Sequence, residues 1–197
     1  MPRQVDHEAR RRHIAAAVWR LAASGGLEDA TIRRVAAEAG VPARQLQYYF
    51  GTREDLLLGA LELLNRDGEA EARERVAALG PEPEPRDVLR SVLLEFLPLD
   101  ESRRQRHLVH MAYFVRFMTE DALRDRIRDA PPELEDLIAM LLPEGRRDEA
   151  DFLLAGTTGL QGQMLLGQLS AERAIELIDR QLDRLFAPMD RPADRGL

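Results

Sequence analysis

Apolar residues recur at intervals of three and four along nearly the whole chain, and nowhere do they alternate with polar ones long enough to make a strand. Val, Ile, Thr and Tyr, the residues that suit a pleated sheet, do not cluster. The expected fold class is therefore all-α. A first helix is expected from about residue 6 to 24, with Ile14, Ala17, Val18, Leu21 and Ala22 on one face and Gly25-Gly26 ending it. Thr31 is placed to cap a second helix with Ile32, Val35, Ala36 and Ala39 on its buried face. Gly40 supplies a turn, and Pro42 opens a short third helix that ends near Phe50. Thr52 caps a long fourth helix reaching about Leu79.

The run Gly80-Pro81-Glu82-Pro83-Glu84-Pro85 reads as a linker. Beyond it, helices are expected near 86–97, 101–118, 120–129, 132–142, 147–168 and 171–186, punctuated by Pro98, Pro131-Pro132, Pro143 and Gly145. Asp100 and Ser170 are the expected caps of two of them, and residues 188–197 are expected to be a disordered tail. Residues 152–171 carry no charge and are long enough to span a bilayer. Three glutamines, two threonines, a serine and four glycines make the stretch too polar for that, so no membrane partner is expected.

Charge is distributed unevenly. All 28 basic residues are arginine, and the net charge is −7. Residues 1–53 hold nine arginines against five acids, whereas residues 54–197 hold nineteen against thirty. A basic head on an acidic body fits a nucleic-acid-binding module joined to something else. With no cysteine there is no thiol nucleophile, disulfide or cysteine zinc site, and the N-terminus lacks the apolar core of a signal peptide. A cytoplasmic location is the expectation.

Thr31–Phe50 is the most informative segment. Two short helices flank a glycine turn, and in the second Leu46 and Phe50 point inward, leaving Arg44, Gln45, Gln47 and Tyr48 outward. Arginine pairs bidentately with guanine, glutamine with adenine, and tyrosine reaches phosphate. A second helix presented in this way enters the major groove. A plain helical hairpin with a solvated face has the same pattern.

The head resembles that of the TetR family of bacterial regulators. The resemblance rests on Ile14, Ala17, Gly26 and Thr31, on Val35-Ala36-x-Glu38-Ala39-Gly40-Val41, and on Leu46, Tyr49-Phe50, Arg53 and Leu56-Leu57. The family often has Ser or Thr where Pro42 stands, and tyrosine where Gln47 stands. Leu97-Pro98-Leu99-Asp100 and Gly159-Leu160 resemble the betaine-regulator-like C-terminal branch. The resemblance implies a three-helix helix-turn-helix DNA-binding domain over 1–52, followed by a helical ligand-binding and dimerisation domain over 53–187. It also implies a repressor that binds a double-stranded operator as a homodimer and leaves it when a small molecule binds. Thr31, Arg33 and Arg53 match family positions near phosphate, and Tyr49 joins the DNA-facing set.

In the body, His107, Met111, Phe114 and Met118 share a helix face, with His110 beside it, and Gln161, Gln163 and Met164 could form a facing wall. An adaptable pocket for an apolar or amphipathic effector fits this stripe, and so does plain core. Ala171, Ile175, Ile178, Leu182 and Leu185 follow a 4-3-4-3 spacing, and Gly156, Gly159 and Gly162 stand three apart on the preceding helix. Glycine in a helix costs about 1 kcal/mol, so three invite a reason, such as the close approach of a partner helix. These seven residues, Ala171 aside and the glycines included, are the expected dimer seam; packing within one chain is the alternative. No P-loop, dinucleotide glycine fingerprint, nucleophile elbow or HExxH is present, so no catalytic residue, metal site or cofactor is expected. The rival function is a helical small-molecule carrier or protein-interaction module that does not bind DNA.

Overall fold

A computed structural model describes residues 2–121 and 133–188, with side-chain surroundings from residue 7 onward. Among the described residues there are nine α-helices and no strand. They are α1 (Pro2–Gly25), α2 (Ile32–Ala39), α3 (Ala43–Phe50), α4 (Arg53–Ala77), α5 (Pro85–Leu94), α6 (Glu101–Thr119), α7 (Glu133–Leu141), α8 (Glu149–Leu165) and α9 (Ala171–Phe186). A three-residue 3₁₀ turn, Leu27–Asp29, joins α1 to α2. Most of the helix expected at 120–129 lies outside the described residues, and so does nearly all of the expected tail.

The helix ends have identifiable causes. The hydroxyl of Thr31 accepts the Arg34 N–H at 3.2 Å and starts α2. Thr52 and Asp55 cap α4 reciprocally: the Thr52 N–H donates to the Asp55 carboxylate and the Asp55 N–H to the Thr52 hydroxyl, both at 3.1 Å. Asp100 and Ser170 cap α6 and α9 as Thr31 caps α2, their side chains accepting the N–H groups of Arg103 and Arg173. Gly40, at φ +64°, ends α2 in the left-handed region that side chains avoid.

The chain forms two compact units. The first comprises Met1–Arg75 with Pro98–Pro131, the second Val76–Leu97 with Pro132–Leu197. The core of the first unit joins Ile14, Val18 and Leu21 of α1, Val35 of α2, Leu46 and Phe50 of α3, Leu56, Leu57 and Leu63 of α4, and Val109 and Tyr113 of α6. The packing unit around the helix-turn-helix is therefore larger than residues 1–52, because α4 and α6 close its core. Tyr113 donates its hydroxyl to the Leu57 carbonyl at 2.6 Å, and Trp19 donates its indole N–H to the Ala60 carbonyl at 2.9 Å. Burial raises the Tyr113 hydroxyl well above the usual phenol range, so it stays a donor.

In the second unit α9 packs on α5 and α8, and α7 on α5 and α8. Ala174, Ile178, Leu182 and Leu185 of α9 are buried, as are Leu89 and Leu93 of α5 and Ile138 of α7. Arg90 holds Asp179 with two hydrogen bonds, at 2.5 and 3.1 Å, and Arg86 holds Asp183 at 2.5 Å, tying α5 to α9. The apolar stripe expected at the seam thus has partners within the chain. Ile178, Leu182 and Leu185 are covered by their own chain, because an amphipathic helix with helices on its apolar side satisfies that stripe internally. Ile175 is half-buried.

Gly156 and Gly159 behave differently. Both are exposed, and a Cβ at either, or at half-buried Gly162, would meet nothing within 4 Å. Phe152 and Leu166, on the same helix and just past its end, are 68% and 74% exposed. No described helix is long and apolar enough to cross a membrane.

Candidate nucleic-acid interface

The helix-turn-helix presents α3 to solvent. Leu46 and Phe50 are buried, while Arg44, Gln47 and Tyr48 are exposed and Gln45 and Tyr49 half-buried. Tyr48 keeps 76% of its surface, too much for a side chain placed for the core. Pro42, Arg44, Gln45, Tyr48 and Tyr49 line an open depression of about 530 Å³. The outward set expected from the sequence is thus gathered along one short helix, with Gln45 less exposed than expected. Pro42 gives α3 no side-chain cap. The first N–H groups of α3 therefore lack a protein acceptor from that side chain, and a helix start of this kind favours an anionic partner.

Most arginines of this unit are already committed to carboxylates. Arg12 pairs with Asp67 at 2.8 Å and Arg20 with Glu38 at 2.6 Å, and Arg34 pairs with Asp29. Arg33 and Arg44 are exposed and have no carboxylate within ion-pair distance among the described residues. Each sits in the first turn of a helix of the helix-turn-helix, where a free guanidinium suits phosphate or a guanine edge.

Arg53, which matches a family position near phosphate, is engaged within its own unit. Its guanidinium donates to the carbonyls of Leu27 at 2.8 Å and Ala30 at 3.2 Å, with Glu28 at 3.7 Å. It thereby pins the 3₁₀ turn that delivers the chain to Thr31. Thr31 itself is exposed, with its oxygen engaged as the α2 cap.

On α6 the sequence-predicted stripe divides. His107 is buried; Met111, Phe114 and Met118 are 37%, 53% and 51% exposed. The buried face of α6 is instead that of Val109 and Tyr113. His110 is half-buried and hydrogen-bonds Asn65 of α4 at 2.9 Å. Burial, with His107 and Arg106 nearby, pushes its pKa down to about 4, so the imidazole is neutral near pH 7. Arg116 donates to Glu54 at 2.5 Å and to Glu120 at 2.5 and 3.1 Å. In the second unit Gln161 is buried and Met164 half-buried. Neither the Arg53 anchor nor the Arg116–Glu54 bridge has a local signature, because the partners are distant in the sequence; only the Arg116–Glu120 pair is local.

A family model for bacterial regulatory proteins of the tetR family matches residues 14–65. A model for the C-terminal region of BetI-type transcriptional repressors matches residues 85–187, more than half of the chain. The chain belongs to the TetR family. The HTH-type transcriptional regulator PksA of Bacillus subtilis is 30% identical over 184 residues, covering 91% of this chain and 80% of PksA. A putative TetR-family transcriptional regulator from Rhodococcus sp. has the same fold, with a TM-score of 0.78 at 25% identity over 90% of this chain and 98% of that one. A putative transcriptional regulator from Saccharomonospora viridis, solved in complex with choline, has a TM-score of 0.69 at 27% identity, covering 90% of this chain and 94% of that one. This TetR-family protein is accordingly a helix-turn-helix transcriptional regulator with a BetI-type C-terminal region, in a family of regulators rather than enzymes.

Proposed function

We propose that this regulator is a cytoplasmic repressor that binds a near-palindromic operator as a homodimer and is released by a small apolar or amphipathic molecule. The observation that carries the DNA reading is the exposure of Arg44, Gln47 and Tyr48 on α3, with Arg33 and Arg44 unclaimed by acids. A carrier or interaction module would not need free arginines at two helix starts inside a net acidic chain. Two copies of α3 would enter successive major grooves about 34–36 Å apart.

Arg44 is the outward arginine of α3. Arg44→Ala is expected to weaken binding to the preferred duplex by about 1–3 kcal/mol and to relax base choice at one position per half-site. Titration of the variant against the preferred duplex and its single-base changes checks this. An unchanged affinity and base preference would remove Arg44 from the reading set.

Homodimerisation is supported by the outward face of α8, where bare glycine backbone lies open between Phe152 and Leu166. The cost of glycine in a helix is offset when another helix approaches it closely.

The effector reading is supported by the outward face of α6 and by the choline complex of the Saccharomonospora viridis relative. Met111, Phe114 and Met118 offer deformable apolar surface, while the opposite side of α6 is bonded to α4 through Tyr113, His110 and Arg116. A molecule bound to the outer face can bias α4 only if it binds the DNA-competent and released states differently. A typical coupling of about 1–3 kcal/mol changes DNA affinity about 5–150-fold. Phe114→Ala is expected to blunt the effector response while leaving DNA binding by the free protein within about twofold, since half-exposed side chains outside the core contribute little to stability. DNA titration with and without effector checks this. Lost DNA binding without effector would make Phe114 structural.

A further inference from the structure

We infer that His7 is a positioning residue for DNA recognition, bracing Tyr48 and Tyr49 of α3 from the N-terminal end of α1. The inference rests on the reading of α3 as the DNA-facing helix and adds to it a residue outside the helix-turn-helix.

Buried residues of α1 begin at Ile14, yet the helix starts at Pro2. His7 therefore lies about 10 Å beyond the core, at 1.5 Å per residue. Its exposed ring is nevertheless engaged. The imidazole centroid is 4.6 Å from that of Tyr49, with the planes at 58°, and 6.3 Å from that of Tyr48, with the planes at 62°. Tyr48 and Tyr49 meet edge to face at 5.1 Å and 86°. All three separations fall in the range where aromatic rings attract, and none is a face-to-face sandwich. The other side of this stretch of α1 is held to α4: Glu8 pairs with Arg66 at 3.4 Å and Arg12 with Asp67 at 2.8 Å.

Tyr48 is the side chain that gains from this. A tyrosine with 76% of its surface exposed would turn freely about two torsions, and its ordering on the operator would count against binding. Contacts with Tyr49 and His7 restrict the ring before DNA arrives. Tyr49, half-buried between them, passes the position of α1 to the second turn of α3.

The test uses the full chain and a duplex selected by that chain from a random library. His7→Ala is expected to lower affinity about three- to tenfold, the value of an ordered side chain and a ring contact. His7→Phe, which keeps a ring and discards the imidazole nitrogens, is expected to restore affinity to within about twofold. In a Tyr48→Ala background, His7→Ala is expected to cost less than it does in the wild type, because one of the two rings it braces is gone. Equal affinities for wild type and His7→Ala would overturn the inference, as would a His7→Phe as weak as His7→Ala or full additivity with Tyr48→Ala. A wild-type chain that selects no duplex overturns the DNA reading and the brace with it. A wild type that binds while His7→Ala makes no difference overturns the brace alone.

Discussion

Gly159→Leu is expected to sediment as a monomer and to lose operator affinity on the order of 100-fold, because the second half-site no longer benefits from a tethered first. The expectation separates cleanly from misfolding. A Cβ at this position meets no atom within 4 Å, so the added side chain starts from open space rather than from a contact with its own chain. Leucine is also the better helix former, by roughly 1 kcal/mol. Thermal stability of the protomer should hold or rise while the dimer is lost. The smaller Gly156→Ala should raise protomer stability by up to about 1 kcal/mol for the same reason. A Gly159→Leu chain that remains dimeric by sedimentation would take this face of α8 out of the seam.

Gly59→Val is expected to act inside the DNA-binding unit. A Cβ at Gly59 would lie 3.0 Å from two ring carbons of Phe50 and 3.2 Å from the Arg11 guanidinium. That guanidinium sits 4.7 Å from the Phe50 ring centroid, so the ring and the cation together fill the space beside Gly59. Helix propensity favours replacing this glycine, and close approach of α4 to Phe50 opposes it. Valine should therefore destabilise the chain by about 1–3 kcal/mol through overpacking. Phe50 is the last residue of α3, so relief of the clash moves the recognition helix. DNA affinity should fall even under conditions where the variant is fully folded. A denaturant titration paired with DNA binding checks both parts, and a variant equal to wild type in each would contradict the close approach.

Helix boundaries were legible because their causes are local. Thr31, Thr52, Asp100 and Ser170 cap where their side chains and spacing indicate, and glycines and prolines punctuate as their backbones require. Faces were harder. On α6 the period places Val109 and Tyr113 on one stripe and Met111, Phe114 and Met118 on another, and both are apolar. Only the packing against α1 and α4 shows that the first is core and the second is outward. On α9 the regular apolar spacing suits a partner helix or the chain's own α5 equally well, and the chain's own helices cover it. Nothing near Arg53 in the sequence announces its bonds to the Leu27 and Ala30 carbonyls. His7 is 41 residues from Tyr48 and belongs to no pattern that the head displays, so its ring cluster is visible only in three dimensions.

Regulation by this protein depends above all on α3 reading DNA. Selection of bound duplexes from a random library by the intact chain tests it most directly. A DNA-reading α3 predicts an enriched near-palindrome whose half-sites are about 10 base pairs apart, with binding that weakens steeply as salt rises. It also predicts that Arg44→Ala selects a site degenerate at one position in each half. No enrichment over the starting library, or an enriched site that Arg44→Ala leaves unchanged, would contradict it.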